Sequence, residues 1–408
     1  MNNSYQTTRR GGGQATFRRQ ATSKRSPNRS FRGGGGNRFR GKKISHDKFI
    51  NKNPSAPVEE NYAPVHTFRD FGFDRQLTNN LVKKGYQIPT KIQDEAIPQI
   101  LNGRDIVGLA NTGSGKTAAF VLPIIQKLIK QKNRETVLVI TPTRELAQQI
   151  QGEFKQFADR LRLYSVLCVG GLNIRQQIRE IKREPQMIIG TPGRLKDLLQ
   201  QGELNLRPTT TLVLDEADRM LDMGFLPDVK FIIGKLPAKR QSLCFSATMV
   251  PEISRLLADL LHEPVTISVR SLRTAEHIGQ DVIRAQSKEE KLAKLTALLA
   301  QAHFTRVLVF AEMKFSVQRL ADDLTKAGFP AVAIHGNKSQ PQRSRALNAF
   351  KTGQVKILVA TDVAARGLDI PAVSQVINFD QPNTYEEYIH RIGRTGRAGL
   401  SGQAYTFI

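Results

Sequence analysis

The chain is poor in cysteine, in acids and in long apolar stretches, and each shortage closes off a class of protein. Only two cysteines occur in 408 residues, Cys168 and Cys244. Both stand in apolar, strand-like runs, and neither has a second Cys or a His at metal-ligand spacing. A disulfide framework and a thiolate zinc site are excluded, and the pair reads as reduced core thiols of a cytosolic protein. No apolar stretch approaches membrane-spanning length, and no apolar segment of the signal-peptide kind opens the chain. Acids number 36 against 61 Lys and Arg, a formal net charge of +25. That surplus predicts a polyanionic partner, with nucleic acid foremost. Hydrophobic residues, at 39%, suffice for real cores. The length predicts two to three domains.

The basic surplus is uneven. The first 60 residues carry fourteen Lys and Arg against three acids, Asp47, Glu59 and Glu60. Gly, Ser and Asn are frequent there, with runs such as Arg9-Arg10-Gly11-Gly12-Gly13 and Phe31-Arg32-Gly33-Gly34. Such a composition cannot bury enough apolar surface to fold alone. Residues 1–65 are therefore expected to form a disordered Arg/Gly-rich arm. Phe17, Phe31 and Phe39 lie beside arginines and could stack on bases while the guanidiniums hold phosphates. The plainer alternative is a solubilising tail. An Arg-rich, acid-poor start also resembles an organelle transit peptide, but glycine runs disfavour the amphipathic helix that such peptides need. The expected location is cytoplasmic.

From about residue 66 short apolar runs alternate with helical segments. The runs Ile106–Leu109, Val137–Thr141, Val166–Val169, Met187–Ile189, Leu212–Leu214 and Leu243–Phe245 read as strands. Leu146, Ile150, Phe154 and Phe157 form one helical stripe between them. A polar connector follows, and then Val307–Phe310, Val332–Ile334, Ile357–Ala360, Val376–Phe379 and Ala404–Phe407. Continuous apolar strands alternating with helices predict parallel sheets covered on both faces. The expected fold is α/β, with domains at 66–268 and 278–408 joined by a linker at 269–277. No sequence-level repeat relates them.

Ala110-Asn111-Thr112-Gly113-Ser114-Gly115-Lys116-Thr117 sits between a strand and a helix, as a phosphate-binding loop requires. Its glycines let backbone N–H groups turn toward phosphate oxygens at the helix N-terminus. Lys116 can reach the β and γ phosphates, and the Thr117 hydroxyl can ligate Mg²⁺. Ala110 replaces the usual first glycine. The strand Thr211–Leu214 carries Asp215 to the carboxyl edge of the sheet. Asp215 is placed to hold Mg²⁺ through water, and Glu216 to orient and deprotonate an attacking water. The alternative for Asp215-Glu216-Ala217-Asp218 is a helix N-cap cluster.

These residues resemble the DEAD-box RNA helicases, and the resemblance runs from about residue 66 to the end. It implies two tandem RecA-like domains with ATP and Mg²⁺ as cofactors and RNA as the partner. Phe68 and Gly85-Tyr86-Gln87-Ile88-Pro89-Thr90-Lys91-Ile92-Gln93 look like the Q motif. By resemblance Gln93 reads the adenine edge, and the upstream aromatic, with Tyr86 nearby, completes the base site. Pro142, Thr143 and Arg144, then Gly171, then Thr191, Pro192 and Arg194 resemble backbone-gripping RNA contacts. Ser246-Ala247-Thr248, with Asp218, resembles the motif that links hydrolysis to strand separation. In the second domain Gln340, Arg343, Thr361 and Arg366 match RNA contacts, and Asp369 the ATP ribose. Arg394 and Arg397 match arginine fingers. His390 and Arg391 would bridge to the acidic motif and to Ser246-Ala247-Thr248.

Stretches such as Met220-Leu221-Asp222-Met223-Gly224-Phe225 look closest to the bacterial branch associated with ribosome assembly and cold growth. Ribosomal or RNP proteins are candidate partners. Asn111 replaces a common glutamine, and Glu312-Met313-Lys314 stands where a hydroxyl is frequent. The chain stops soon after the sixth motif, so accessory RNA capture is expected from the arm. The resemblance implies an RNA-dependent ATPase whose cleft closure melts short duplexes locally or remodels RNPs. The alternatives are an ATP-gated RNA clamp that never separates strands and a DNA translocase, against which the Q motif argues.

Overall fold

The computed structural model describes residues 44–54, 62–111, 113–130, 135–269, 276–301, 304–365, 370, 373–396 and 402–408. Most of the expected arm lies outside these residues, as do Thr112, Arg366, Asp369 and Arg397 of the expected site.

The first lobe is built on seven strands. They are β1 (Ile106–Ala110), β2 (Thr136–Ile140), β3 (Ser165–Cys168), β4 (Met187–Gly190), β5 (Thr209–Asp215), β6 (Gln241–Ser246) and β7 (Val265–Val269). Their order is β3-β4-β2-β5-β6-β1-β7, with parallel pairing throughout. Parallel neighbours need crossover connections, and helices supply them. Period-two alternation divides each strand between two cores. Val137 and Val139 enter one, Leu138 and Ile140 the other. The helix Arg144–Phe157 buries the stripe Leu146, Ile150, Phe154 and Phe157.

The second lobe carries β8 (Ile278–Ile283), β9 (Val307–Phe310), β10 (Ala331–Ile334), β11 (Ile357–Ala360), β12 (Gln375–Asn378) and β13 (Gly402–Phe407). Its order is β10-β11-β9-β12-β13-β8, again parallel. The pair β7 and β8, on either side of the connector, was not legible as strands. Each is an edge strand with several partly exposed residues, and β8 includes Gly279 and Asp281, both disfavoured in strands.

The arm's boundary needs correction. Residues 44–54, assigned to the disordered arm, form a 3₁₀ turn at His46–Phe49 and a bridge from Asn51 to Gln280 of β8. Phe49 is 1% exposed within the core of the second lobe. Composition averaged over 65 residues hid one aromatic residue with a pocket to fill.

Candidate functional site

In both lobes the expected motifs follow the carboxyl ends of strands, the side of an open parallel sheet where ligands bind. The phosphate loop follows β1, Asp215 ends β5, and Ser246 ends β6. Gly113 and Gly115 have φ of 87° and 94°, a conformation that suits glycine alone. A Cβ at Gly115 would lie 2.5 Å from Gln93 Nε2, so the loop is moulded on that side chain. Gln93 Nε2 donates to Gly115 O at 3.1 Å, and its Oε1 accepts from Thr90 N at 3.0 Å. Thr90 Oγ1 adds a bond to Ser114 O at 2.8 Å. The glutamine assigned to the adenine edge thus also braces the phosphate loop, and its amide keeps a second hydrogen and a second lone pair. Across the loop Lys116 Nζ donates to Ala110 O at 2.7 Å.

The aromatic part of the base site differs from expectation. Phe68 is 5% exposed and packs edge-on against Phe71 and Tyr86, with ring centroids 5.9 and 5.7 Å away. Tyr86 in turn meets Phe157, and burial raises its hydroxyl pKa to about 12. Phe68 belongs to the core, whereas Tyr86 is half-buried against it.

The acids are differentiated by their surroundings. Burial lifts Asp215 to about 7, against the pull of Lys116. A buried carboxylate held that high is one a divalent cation would ionise. With the Thr117 hydroxyl it makes an all-oxygen donor set suited to Mg²⁺, which keeps waters and substrate phosphates as its remaining ligands. Glu216 adopts a left-handed backbone, φ 55°, and both its carboxylate oxygens accept from Arg219 Nη1 at 2.8 Å. Asp218 Oδ2 accepts from Ala247 N at 3.0 Å, Thr248 N at 2.8 Å and Thr248 Oγ1 at 3.0 Å. Ser246 Oγ receives Asp218 N at 3.3 Å. Burial would raise the Asp218 pKa, but Arg219 and the Thr248 bonds hold it below the usual range.

On the expected RNA face, Thr143 caps the Arg144–Phe157 helix by accepting from Leu146 N at 3.3 Å. Arg144 lies against Gly170 and Gly171, and Arg194 Nη1 donates to Leu172 O at 3.4 Å. A cavity of about 430 Å³ gathers Pro142, Thr143, Arg144, Thr191 and Arg194 of the first lobe with Gly336 and Arg343 of the second. Gln340 and Arg343 are held across the lobes, Gln340 Nε2 3.2 Å from Gln148 Oε1 and Arg343 Nε 2.9 Å from Glu145 Oε1. Thr361 is 7% exposed, and its hydroxyl accepts from Ala364 N at 3.3 Å. In this structure it caps a short helix.

Arg391 is the clearest correction. The resemblance sends it to the acidic motif, but the structure spends its donors inside the second lobe. Nε and Nη2 grip Asp362 at 2.6 Å each, and Nη1 reaches Asp380 O at 2.7 Å. The side chain is 2% exposed and lies over Phe310. Arg391 also lines, with His390 and Arg394, a small cavity that includes Arg219 of the first lobe. Arg219 was missed in the sequence. Its signal was its place three residues after Glu216, on the same helical face.

Comparison with known proteins agrees with this geometry. A family model described as DEAD/DEAH box helicase matches residues 90–256, and one described as helicase conserved C-terminal domain matches 290–399. The ATP-dependent RNA helicase DBP2 of Eremothecium gossypii is 42% identical over 353 residues, covering 84% of this chain and 63% of the relative. The probable ATP-dependent RNA helicase ddx17 of Dictyostelium discoideum is 44% identical over 352 residues, covering 85% of this chain and 45% of that protein. The chain thus spans about two thirds or less of the length of these relatives. Among solved structures, S. cerevisiae Dbp5 bound to RNA and ADP BeF3 superposes with a TM-score of 0.73 at 30% identity, covering 84% of this chain and 89% of that one. Mss116p bound to ssRNA and AMP-PNP gives 0.75 at 31% identity, covering 84% and 73%. These eukaryotic relatives overturn the placement beside the bacterial ribosome-assembly and cold-growth branch.

Proposed function

This chain belongs to the DEAD-box family of RNA helicases, and on that premise we propose that it hydrolyses ATP in response to RNA and uses closure of its two lobes to melt short duplexes or remodel RNA–protein complexes. The observation that carries the reading is the division of the machinery. Lys116, Asp215 and Glu216 stand on the first lobe, Arg394 on the second, and the phosphate-gripping cavity draws on both.

The chemistry follows from that division. Lys116 would exchange the Ala110 carbonyl for phosphate oxygen. Mg²⁺ bound at Thr117 and Asp215 would neutralise phosphate charge. Glu216 would take the proton of the attacking water while Arg219 holds its carboxylate in aim. Arg394 and Arg397 act as fingers only when the lobes close, and such arginines are worth about 10³–10⁵ in rate. Two ligands that each favour one closed state tighten each other by the same factor. Breaking a few base steps costs on the order of a few kcal/mol, which closure can supply locally. A long duplex, at about 1.4 kcal/mol per step, is beyond a single closure.

Work in the cytoplasm suits two buried free thiols, and RNP proteins are candidate partners. The test is release of a short labelled strand, with ATP and with a non-hydrolysable analogue, alongside Glu216→Gln. Release with ATP, and a long-lived RNA complex without turnover in the variant, is the expected result. RNA retention without strand release would instead identify an ATP-gated clamp. Equal ATPase stimulation by DNA would count against an RNA-directed enzyme.

A further inference from the structure

Resting on the reading of the shared cavity as the RNA grip, we propose that Met223 and Phe225 form its apolar wall and that a base of the bound strand packs against the Phe225 ring.

The cavity has two chemistries. Arg144, Arg194 and Arg343 bring guanidiniums to it, whereas Met223 and Phe225 of the first lobe and Val363 of the second bring apolar surface. Val363 is 56% exposed, and Met223 and Phe225 are partly exposed. A grip on phosphates alone has no use for these three side chains, and exposed apolar surface gains from a partner that covers it. An RNA strand is itself two-sided, with phosphates along one edge and bases along the other. Grooves that hold single strands without sequence preference pair a positively charged track with aromatic rings, because every base offers a π-face.

Local structure fixes where the wall stands. The helix that follows Glu216, Ala217–Asp222, is six residues long. It ends in a Schellman turn, in which Phe225 N donates to Met220 O at 2.9 Å and Gly224 N to Leu221 O at 2.8 Å. Gly224 supplies the left-handed residue of that turn, with φ 72°. Met223 N is tied to Arg219 O at 3.1 Å. Phe225 also caps the next helix, Leu226–Ile233, where its carbonyl accepts from Val229 N at 2.9 Å. Its ring packs in part on the core cluster that contains Met220, which is 3% exposed. Two helix ends therefore place the ring, and the part of it left uncovered belongs to the cavity lining.

The pairing of side chains suits a partner of any sequence. A thioether is polarisable and adapts its shape, and it makes favourable contacts with aromatic rings. Stacking on Phe225 adds affinity without base selection, as phosphate contacts do. The wall thus lets the cavity hold a strand by both of its edges.

The test compares two fluorescent strands of equal length, a uridine oligomer and a ribose-phosphate oligomer without bases, each bound to the full chain with a non-hydrolysable ATP analogue. The native protein is expected to prefer the uridine strand. Phe225→Ala should bind that strand ~5–100-fold more weakly and leave the affinity for the abasic strand unchanged. Phe225→Tyr should keep the native preference. Phe225→Leu, which retains apolar packing on the core, should lose it, and Met223→Ala should reduce it. Equal affinity of the native protein for the two strands would overturn the base contact. So would an equal loss on both strands in Phe225→Leu, which would leave Phe225 as packing alone. Arg144→Gln tests the underlying reading separately, because it should weaken both strands and flatten their salt dependence. Unchanged binding of both strands in that variant would remove the cavity as the RNA grip.

Discussion

Glu216 has the backbone and the partner of a residue built for one task. Its left-handed φ of 55° turns the carboxylate out of the helix that follows. Arg219 then holds it at 2.8 Å, with both side chains 6% exposed. A charge-assisted bond is worth about 1.5–3 kcal/mol. Arg219→Gln should therefore lower kcat about 10–100-fold with little change in the KM for ATP, as steady-state ATPase at saturating RNA would show. An unchanged kcat would reduce Arg219 to a structural ion pair. Lys116, Asp215 and Glu216 were legible in the sequence because their chemistry is local to one strand end. The partners of Gln93, Arg219 and Arg391 were not. A guanidinium offers five donors, and only the folded chain decides whether they face a neighbouring lobe or, as with Arg391, a carboxylate of their own lobe.

At the scale of elements, the helix Tyr385–Ile392 is fixed to the second sheet through Arg391 and Asp362. Removing one member of a buried pair costs about 3–5 kcal/mol, because the other is left uncompensated. Arg391→Ala should therefore lower the melting temperature markedly as well as lower activity. A variant that lost activity at unchanged melting temperature would restore Arg391 to a coupling role. Glu387 adds a pH dependence. Burial, then its contact with Asp362, raises its pKa from 4.5. The folded state thus binds this proton more tightly than the unfolded chain, so stability falls as pH rises from about 4.5 through the raised value. Glu387→Gln should gain melting temperature over the native protein at neutral pH, and the gain should shrink near pH 4.5. Of the thirteen strands among the described residues, eleven were legible because buried parallel strands are continuous apolar runs. β7 and β8 were not, since they are edge strands that alternate apolar with polar or small residues and leave most of their positions partly exposed.

At the scale of the whole molecule, the proposed function divides RNA binding between a folded grip and a basic arm. Residues 1–43 carry twelve Lys and Arg and no acid. The motif residues that hold phosphate by shape lie beyond them, on the two lobes. Each phosphate neutralised on a single strand contributes about −0.7 to the slope of log affinity against log salt. Deleting residues 1–43 should therefore weaken RNA binding most at low salt and flatten the slope by about 0.7 for every phosphate that the arm neutralises. The phosphate loop, the acids and Arg394 are untouched by the deletion, so ATPase at saturating RNA should persist while the KM for RNA rises. Titration of a fluorescent single strand at several salt concentrations measures the slope directly. A slope equal to that of the full chain would mean that the arm's charge faces solvent and that the two lobes alone account for the electrostatic capture of RNA.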